Sequence, residues 1–569
     1  MFHVEHIDRK TMLRYTIFLL VVLLSCGEHN TRDEVSRGVP NIVWIVAEDL
    51  SPVIPSFGDS TILTPNLSRL AAEGVCYDRV FSTSGVCSPS RAAIATGMYP
   101  TRLGANHMRT GPWFTSSIPE SFLKSYAKNA MPPGIRPYQA VPPEGTLMMS
   151  EYLRQAGYYC SNNAKEDYQF MNGLMAWDES STKAHWRKRA EGQPFFSVFN
   201  INVTHESQIW GRSTYALQVE EDLDVPVPPY LPTTDSALID IRRMYSNIIE
   251  MDQQVGEILD QLEQDNLLDD TIIFWYTDHG GPLPRQKRMV YDAGLHVPMI
   301  VRYPGKRRAN TRDSTLISFI DFAPTVLSLA GIEPPRHMDG TVFLGTEAAP
   351  RDYIHAASDR FDEGPSDRIR AVRDNRYKLI KYYDRELPMF YRVAYREFQP
   401  IMRELYHLRE AGNLDAAQAL WFREQKPSME LFDTKLDPHE LEDLADNPAY
   451  AQQVAELSAE LERWLNEEED LNMLPEQELI GMFTDEDGNM HVTADPTIEL
   501  KSKTVILSST TEGASLGYKL SSDSTNASWT LYDQPFEIQD TVEVSAVAHR
   551  LGYVPSKVVS ERLMFHVEH

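Results

Sequence analysis

The sequence predicts an α/β protein. A large mixed, mainly parallel sheet is flanked by helices, and a small antiparallel subdomain and a C-terminal β-sandwich follow it. Three observations carry this reading. The runs Asn41–Ala47, Phe195–Ile201 and 271–276 are continuously apolar, as strands buried on both faces are. Between the second and third, Leu238, Ile241, Met244, Tyr245, Ile248, Val255, Ile258 and Leu262 keep helical spacing, with Asp252 the one polar exception. Beyond residue 485 the texture changes to short β-rich runs (504–507, 517–520, 528–532, 541–548) with turn residues between them, roughly ten residues apart, the rhythm of a sandwich.

Each strand delivers chemistry at its end. Asn41–Ala47 runs into Glu48-Asp49, Phe195–Ile201 leads to Thr204-His205, and the third run ends in Thr277-Asp278-His279-Gly280. Ligands of open α/β sheets bind beyond the carboxyl ends of strands, so these groups are expected at one edge. Further on, 369–373 and 377–382 alternate like half-exposed strands around an Asp374-Asn375 turn, and 429–433 extends that sheet. Val454, Leu457, Leu461 and Leu465 mark one packing helix.

At 569 residues the chain is too long for one ordinary core. It divides into a leader (1–26), a catalytic α/β domain (38–345), a C-terminal subdomain (346–482) and the sandwich (489–563). The hexapeptide Met1-Phe2-His3-Val4-Glu5-His6 recurs at 564–569 and reads as an artefact, which puts the start at Met12. With 54 basic against 82 acidic residues the net charge is −28, which argues against nucleic acid or anionic lipid as a partner. Any anionic substrate needs a locally basic pocket. Arg14, the apolar run 17–24 and Ser25-Cys26 read as an export signal too short to span a bilayer. Of four cysteines, Cys76 and Cys160 lie in apolar, strand-like segments and read as buried thiols.

The chain is organised around Cys87-Ser88-Pro89-Ser90-Arg91, followed by a small-residue run to Thr96-Gly97. Pro89 suits a first helical turn, Ser88 can cap it, and Arg91 lies one turn after Cys87. A helix entrance favours anions, so a reactive group sits beside an oxyanion site.

This motif resembles the signature of type I sulfatases, of the alkaline-phosphatase-like superfamily, and is similar above all to bacterial heparan-type and algal-polysaccharide members. The resemblance implies a sulfuric ester hydrolase acting on a sulfated glycan. Cys87 would be oxidised by a maturation enzyme to formylglycine, whose hydrate is the nucleophile. It implies one divalent metal, calcium in the family, held by Glu48, Asp49, Asp278 and His279 with the group derived from Cys87. The family usually has aspartate where Glu48 stands, and His279 is an unusual calcium ligand that suits zinc or manganese better. Lys165 matches a family lysine, but Asp167 replaces the histidine that follows it; its carboxylate is offered as a proton acceptor. Lys287 matches the second lysine, His205 the acid to the leaving group, and Arg91 completes the cationic set. His107, His296 and an aromatic-rich insert (113–138) are candidates for sugar contacts. Removing Lys165 or Lys287 is expected to relieve repulsion among cations and so to spare stability. The leader resembles a bacterial lipoprotein signal with a lipid at Cys26, implying a periplasmic or outer-membrane-anchored protein. The segment 511–550 is similar to a small immunoglobulin-like module of bacterial glycan enzymes. Two alternatives stay open: a phosphatase or phosphodiesterase of the same superfamily, and a non-catalytic glycan-binding lipoprotein.

Overall fold

The three apolar runs stand side by side. Asn41–Ala47 (β1) pairs in parallel with Phe195–Ile201 on one flank and Thr271–Thr277 on the other, with Ala47 level with both Ile201 and Thr277. Their carboxyl ends therefore open onto one edge. The structure is a computed structural model that describes residues 39–110, 132, 134–345, 348–521 and 528–564. The leader with Cys26, residues 113–131 and 133 of the aromatic-rich insert and the terminal repeat from residue 565 lie outside the described residues.

The large sheet also contains Val75–Phe81 (β2), Tyr159–Asn163 (β3), Glu179–Ser180 (β4), then the second and third runs as β5 and β6, and His296–Arg302 (β7), Thr311–Asp313 (β8) and Ile317–Ser318 (β9). Its order is β4-β3-β5-β1-β6-β7-β2-β8, with β9 also paired to β2. β7 runs antiparallel to both neighbours, which makes the sheet mixed. Alternate residues feed two cores, as the period of a strand requires. Val43, Ile45, Ile273 and Trp275 pack on the side of the helix Asp235–Gln264, and Ile42, Trp44, Phe274 and Tyr276 pack on the side of the helix Phe322–Leu329.

The polar exception in the long helix has a structural use. Asp252, 1% exposed, accepts hydrogen bonds from the backbone N–H of Asn66 (3.1 Å) and Leu67 (2.8 Å), in the first turn of the helix Pro65–Glu73. It satisfies donors that a helix start leaves orphaned. Asp252→Ala should lower unfolding stability by about 2 kcal/mol while leaving the distant chemistry intact; thermal melts beside kinetics check it.

A second, antiparallel sheet contains Ile354–Ser358 (β10), Ile369–Arg373 (β11), Tyr377–Tyr382 (β12) and Met429–Asp433 (β13) in that order, covered by the helix Ala451–Glu467. The C-terminal strands are Thr497–Lys501 (β14), Thr504–Ser508 (β15), Ser515–Leu520 (β16), Thr530–Tyr532 (β17), Phe536–Glu537 (β18), Val542–His549 (β19) and Val559–Leu563 (β20). They form the sheets β14-β15-β18 and β17-β16-β19-β20 around one core containing Ile498, Val505, Leu507, Val544, Ala546 and Leu563. This sandwich docks on the catalytic domain: Ser515 Oγ donates to Glu151 (2.7 Å) and Arg154 to the Trp529 carbonyl (2.8 Å).

Candidate active site

Cys87 opens the helix Cys87–Thr96 and is fully buried. The residue before the helix is Val86, in extended conformation, so Ser88 lies inside the first turn and caps nothing. Its hydroxyl instead donates to Asp167. The helix is lined by Ala92, Ala93 and Ala95, small enough to let it bed down at the strand ends.

Around the Cys87 sulfur the strand ends converge. One donor atom each from Glu48, Asp49, Cys87 and His205 lies within 4.8 Å of the others, and the same holds for Asp49, Cys87, Asp278 and His279. His279 Nε2 is 3.4 Å from Sγ and 3.0 Å from an Asp49 oxygen. Asp49 adopts a left-handed backbone (φ 47°), a conformation a non-glycine residue keeps only where its surroundings enforce it. Its N–H donates to Asp278 (3.1 Å). Gly280 lets the third loop seat closely, since a Cβ there would lie 2.2 Å from the Ala293 carbonyl oxygen.

Cations surround this acidic centre. Lys287 Nζ is 2.6 Å from Asp49 and 3.3 Å from Glu206. Lys165 Nζ is 2.8 Å from Glu48. Arg91 donates through Nε to Asp278 (3.1 Å) and through Nη1 to Asn200 (2.6 Å), and its Nη2 is 3.8 Å from Glu48. The chain with net charge −28 thus gathers three fixed cations at one point. Burial pushes the Cys87 thiol up, but the ammonium groups of Lys165 and Lys287 outweigh it and bring its pKa down to about 6. Burial likewise disfavours a charged His279, yet Asp278 and Asp49 raise its pKa to about 10, so a cation held at Nε2 would displace that proton.

The donor set fits a divalent cation. Glu48, Asp49 and Asp278 supply carboxylate oxygens, and Glu48 Oε1 is buried with no hydrogen-bond partner. The Nδ1 of His279 faces the Gly280 carbonyl (3.0 Å), which leaves Nε2 as the nitrogen turned to the centre.

His205, after β5, reaches the same place. Its Nδ1 lies 2.8 Å from the Ser207 hydroxyl, and its Nε2 lies 3.2 Å from Lys287 Nζ, on the side of the centre. Asp167 is drawn aside. Burial raises it, but Arg109 (2.6 Å) and Lys165 hold its carboxyl down at about 2. It anchors Ser88 and Arg109, and a group that ionises so low has little driving force as a base.

The structure does not bring His107 or His296 to this centre. His107 is 1% exposed, and its Nδ1 accepts the Arg360 N–H (3.2 Å); burial lowers it to about 4. His296 stacks on Phe81 (4.8 Å) with Nε2 against the Asp78 carbonyl (2.8 Å). Both are held by packing.

Two residues escaped the sequence reading. Glu206 donates its N–H to Asp49 (2.7 Å) and takes a two-pronged ion pair from Arg288 (2.8 and 2.9 Å). Each follows a matched residue, His205 or Lys287, and that adjacency was the only signal for them.

The family model for sulfatases matches residues 40–332, and that for the C-terminal part of N-sulphoglucosamine sulphohydrolase matches 285–410. An ulvan-active sulfatase of Formosa agariphila is 47% identical, over 96% of this chain and 97% of its own. Human N-sulphoglucosamine sulphohydrolase is 24% identical, over 74% of this chain and 89% of its own. Among solved structures, a 2-O GAG sulfatase shares the fold, with a TM-score of 0.54 and 18% identity over 77% of this chain and 94% of its own.

Proposed function

This chain belongs to the sulfatase family and removes sulfate from sulfated glycans, and from that premise we propose a formylglycine enzyme acting on an algal polysaccharide of the ulvan type. The observation that supports the substrate is the 47% identity, over nearly the whole of both chains, to a relative named for ulvan. The fully buried Cys87 among cations supports the nucleophile.

A maturation enzyme would oxidise Cys87 to formylglycine, whose hydrated aldehyde supplies the hydroxyl that attacks sulfur. Glu48, Asp49, Asp278 and His279 would hold one divalent cation, which supplies charge for the sulfate oxygens. The carboxylates favour calcium, whereas the imidazole favours zinc or manganese.

The remaining work belongs to the side chains. Lys165, at the exposed side, and Lys287, at the floor, offer ammonium donors to the sulfuryl oxygens as charge builds. His205, once protonated, would give its Nε2 proton to the leaving oxygen. Arg91 spends its donors on Asp278 and Asn200 and so orients the cation-binding carboxylate. Asp167 is a positioning residue for Ser88 and Arg109. Export, with a lipid on Cys26, completes the proposal and is supported by Arg14 and the apolar run that precedes that cysteine.

The test is release of inorganic sulfate from ulvan oligosaccharides and from defined glycosaminoglycan oligosaccharides. Sulfate is expected from the former; release only from the latter would overturn the ulvan assignment. A chelator should abolish turnover, and re-addition of single divalent ions should restore it, with about one equivalent bound by elemental analysis. Two tightly bound zinc ions would instead favour the phosphoesterase alternative.

A further inference from the structure

At the rim of the centre three aromatic side chains meet from distant parts of the sequence. Trp210 lies in the short helix Ser207–Gly211 that follows His205. It stands edge-on to Tyr395 (5.2 Å between ring centroids, 78° between planes) and stacks on Phe398 (5.8 Å, 26°). Tyr395 in turn lies 6.5 Å from the His205 imidazole. Tyr395 is 36% and Phe398 56% exposed. Among the described residues only Tyr215 joins them as a large aromatic side chain this exposed. Tyr395 and Phe398 thus keep ring surface in water beside a catalytic group, where burial would be the favoured state.

We propose that Trp210, Tyr395 and Phe398 form a stacking platform for the sugar ring that carries the sulfate. A proton donor must lie next to the oxygen that leaves sulfur, so the sugar's first ring has to occupy the His205 side of the centre. A pyranose presents apolar C–H faces and polar edges. Aromatic faces match the former, and the tyrosine hydroxyl and indole N–H can meet the latter. The cationic floor has no complement for such a ring, whereas the rim does. Specificity is then divided: Lys165 and Lys287 grip the sulfate, and the platform selects a ring of the right size and linkage. This inference rests on the reading of His205 as the acid toward the leaving group of a glycan sulfate.

The test compares the parent with Tyr395→Ala, Phe398→Ala and the conservative Tyr395→Phe and Phe398→Tyr. Values of kcat and KM are measured on a sulfated oligosaccharide that the parent cleaves and on a small alkyl sulfate, with thermal unfolding alongside. Each alanine variant should lose about tenfold in kcat/KM on the oligosaccharide, through KM, and far less on the alkyl ester. Each conservative variant should recover most of that loss. Phe398, the most exposed of the three, carries the test if Tyr395→Ala fails to fold. Equal losses on the two substrates, or an unchanged oligosaccharide KM, would overturn the platform and leave the rings to packing or to a protein partner. A parent that cleaves the alkyl sulfate but no oligosaccharide would overturn the glycan reading itself, an outcome seen without any variant.

Discussion

Cys87→Ala should abolish sulfate release, with a loss of about 10⁵-fold or more, because it removes the group on which every other part of the centre converges. The fold should survive. Cys87 packs with Val86, Met108 and Phe361 in a small cluster at the helix start, and alanine leaves only a small void there. Cys87→Ser sharpens the test, since it nearly keeps the size of the side chain while replacing the thiol with a hydroxyl. Initial rates of sulfate release and thermal melts on the same samples decide it. A serine variant with parental turnover, and with residue 87 still a hydroxyl by mass, would show that an ordinary hydroxyl suffices and that the formylglycine reading is wrong.

Lys287→Ala should lose turnover and folded stability together, whereas Lys165→Ala should lose turnover alone. Both remove a donor to developing charge, for which roughly a hundredfold in rate is expected. Their surroundings separate them. Lys287 is 3% exposed and lies 2.6 Å from Asp49, so its removal takes the nearest cation from a fully buried carboxylate, whereas Glu206, 3.3 Å away, keeps Arg288. Breaking such a pair costs about 3–5 kcal/mol. The Lys165 side chain is 22% exposed, and water can replace it beside Glu48. The expectation from sequence, that losing either lysine relieves crowding among cations, thus reverses for Lys287: the interior is balanced by sign, not crowded by one. Melting curves with metal present should show Lys287→Ala unfolding several degrees below the parent. Coincident melts would mean that His279 or the bound cation compensates Asp49.

Strand ends and the cysteine motif were readable because each depends on local sequence. Three apolar runs stand in register, so Glu48, Asp49, His205, Asp278 and His279 arrive together, and the strand pattern alone implied as much. The long helix was legible from its spacing, and even its exception, Asp252, marked a real contact. Side-chain direction was not legible. His107 and His296 are as polar as His205, but the chain turns one toward Arg360 and the other onto Phe81. Asp167 sits two residues after Lys165, as the motif demands, yet Arg109 captures it. Arg109 itself, at φ 59°, depends on a backbone conformation that no periodicity announces. In the sandwich, β15, β16, β17 and β19 were anticipated. β14, β18 and β20 were missed, because β18 is only two residues long and β14 and β20 carry the charged residues of exposed faces.

The most direct measurement of the central claim is the state of residue 87 in active protein. Samples produced with graded amounts of the maturation enzyme would be digested, and the peptide holding position 87 weighed and quantified beside sulfate release. Specific activity should rise in proportion to the formylglycine fraction and extrapolate to zero where Cys87 is wholly a thiol. Full activity from protein whose residue 87 remains unmodified cysteine would contradict the account at its root.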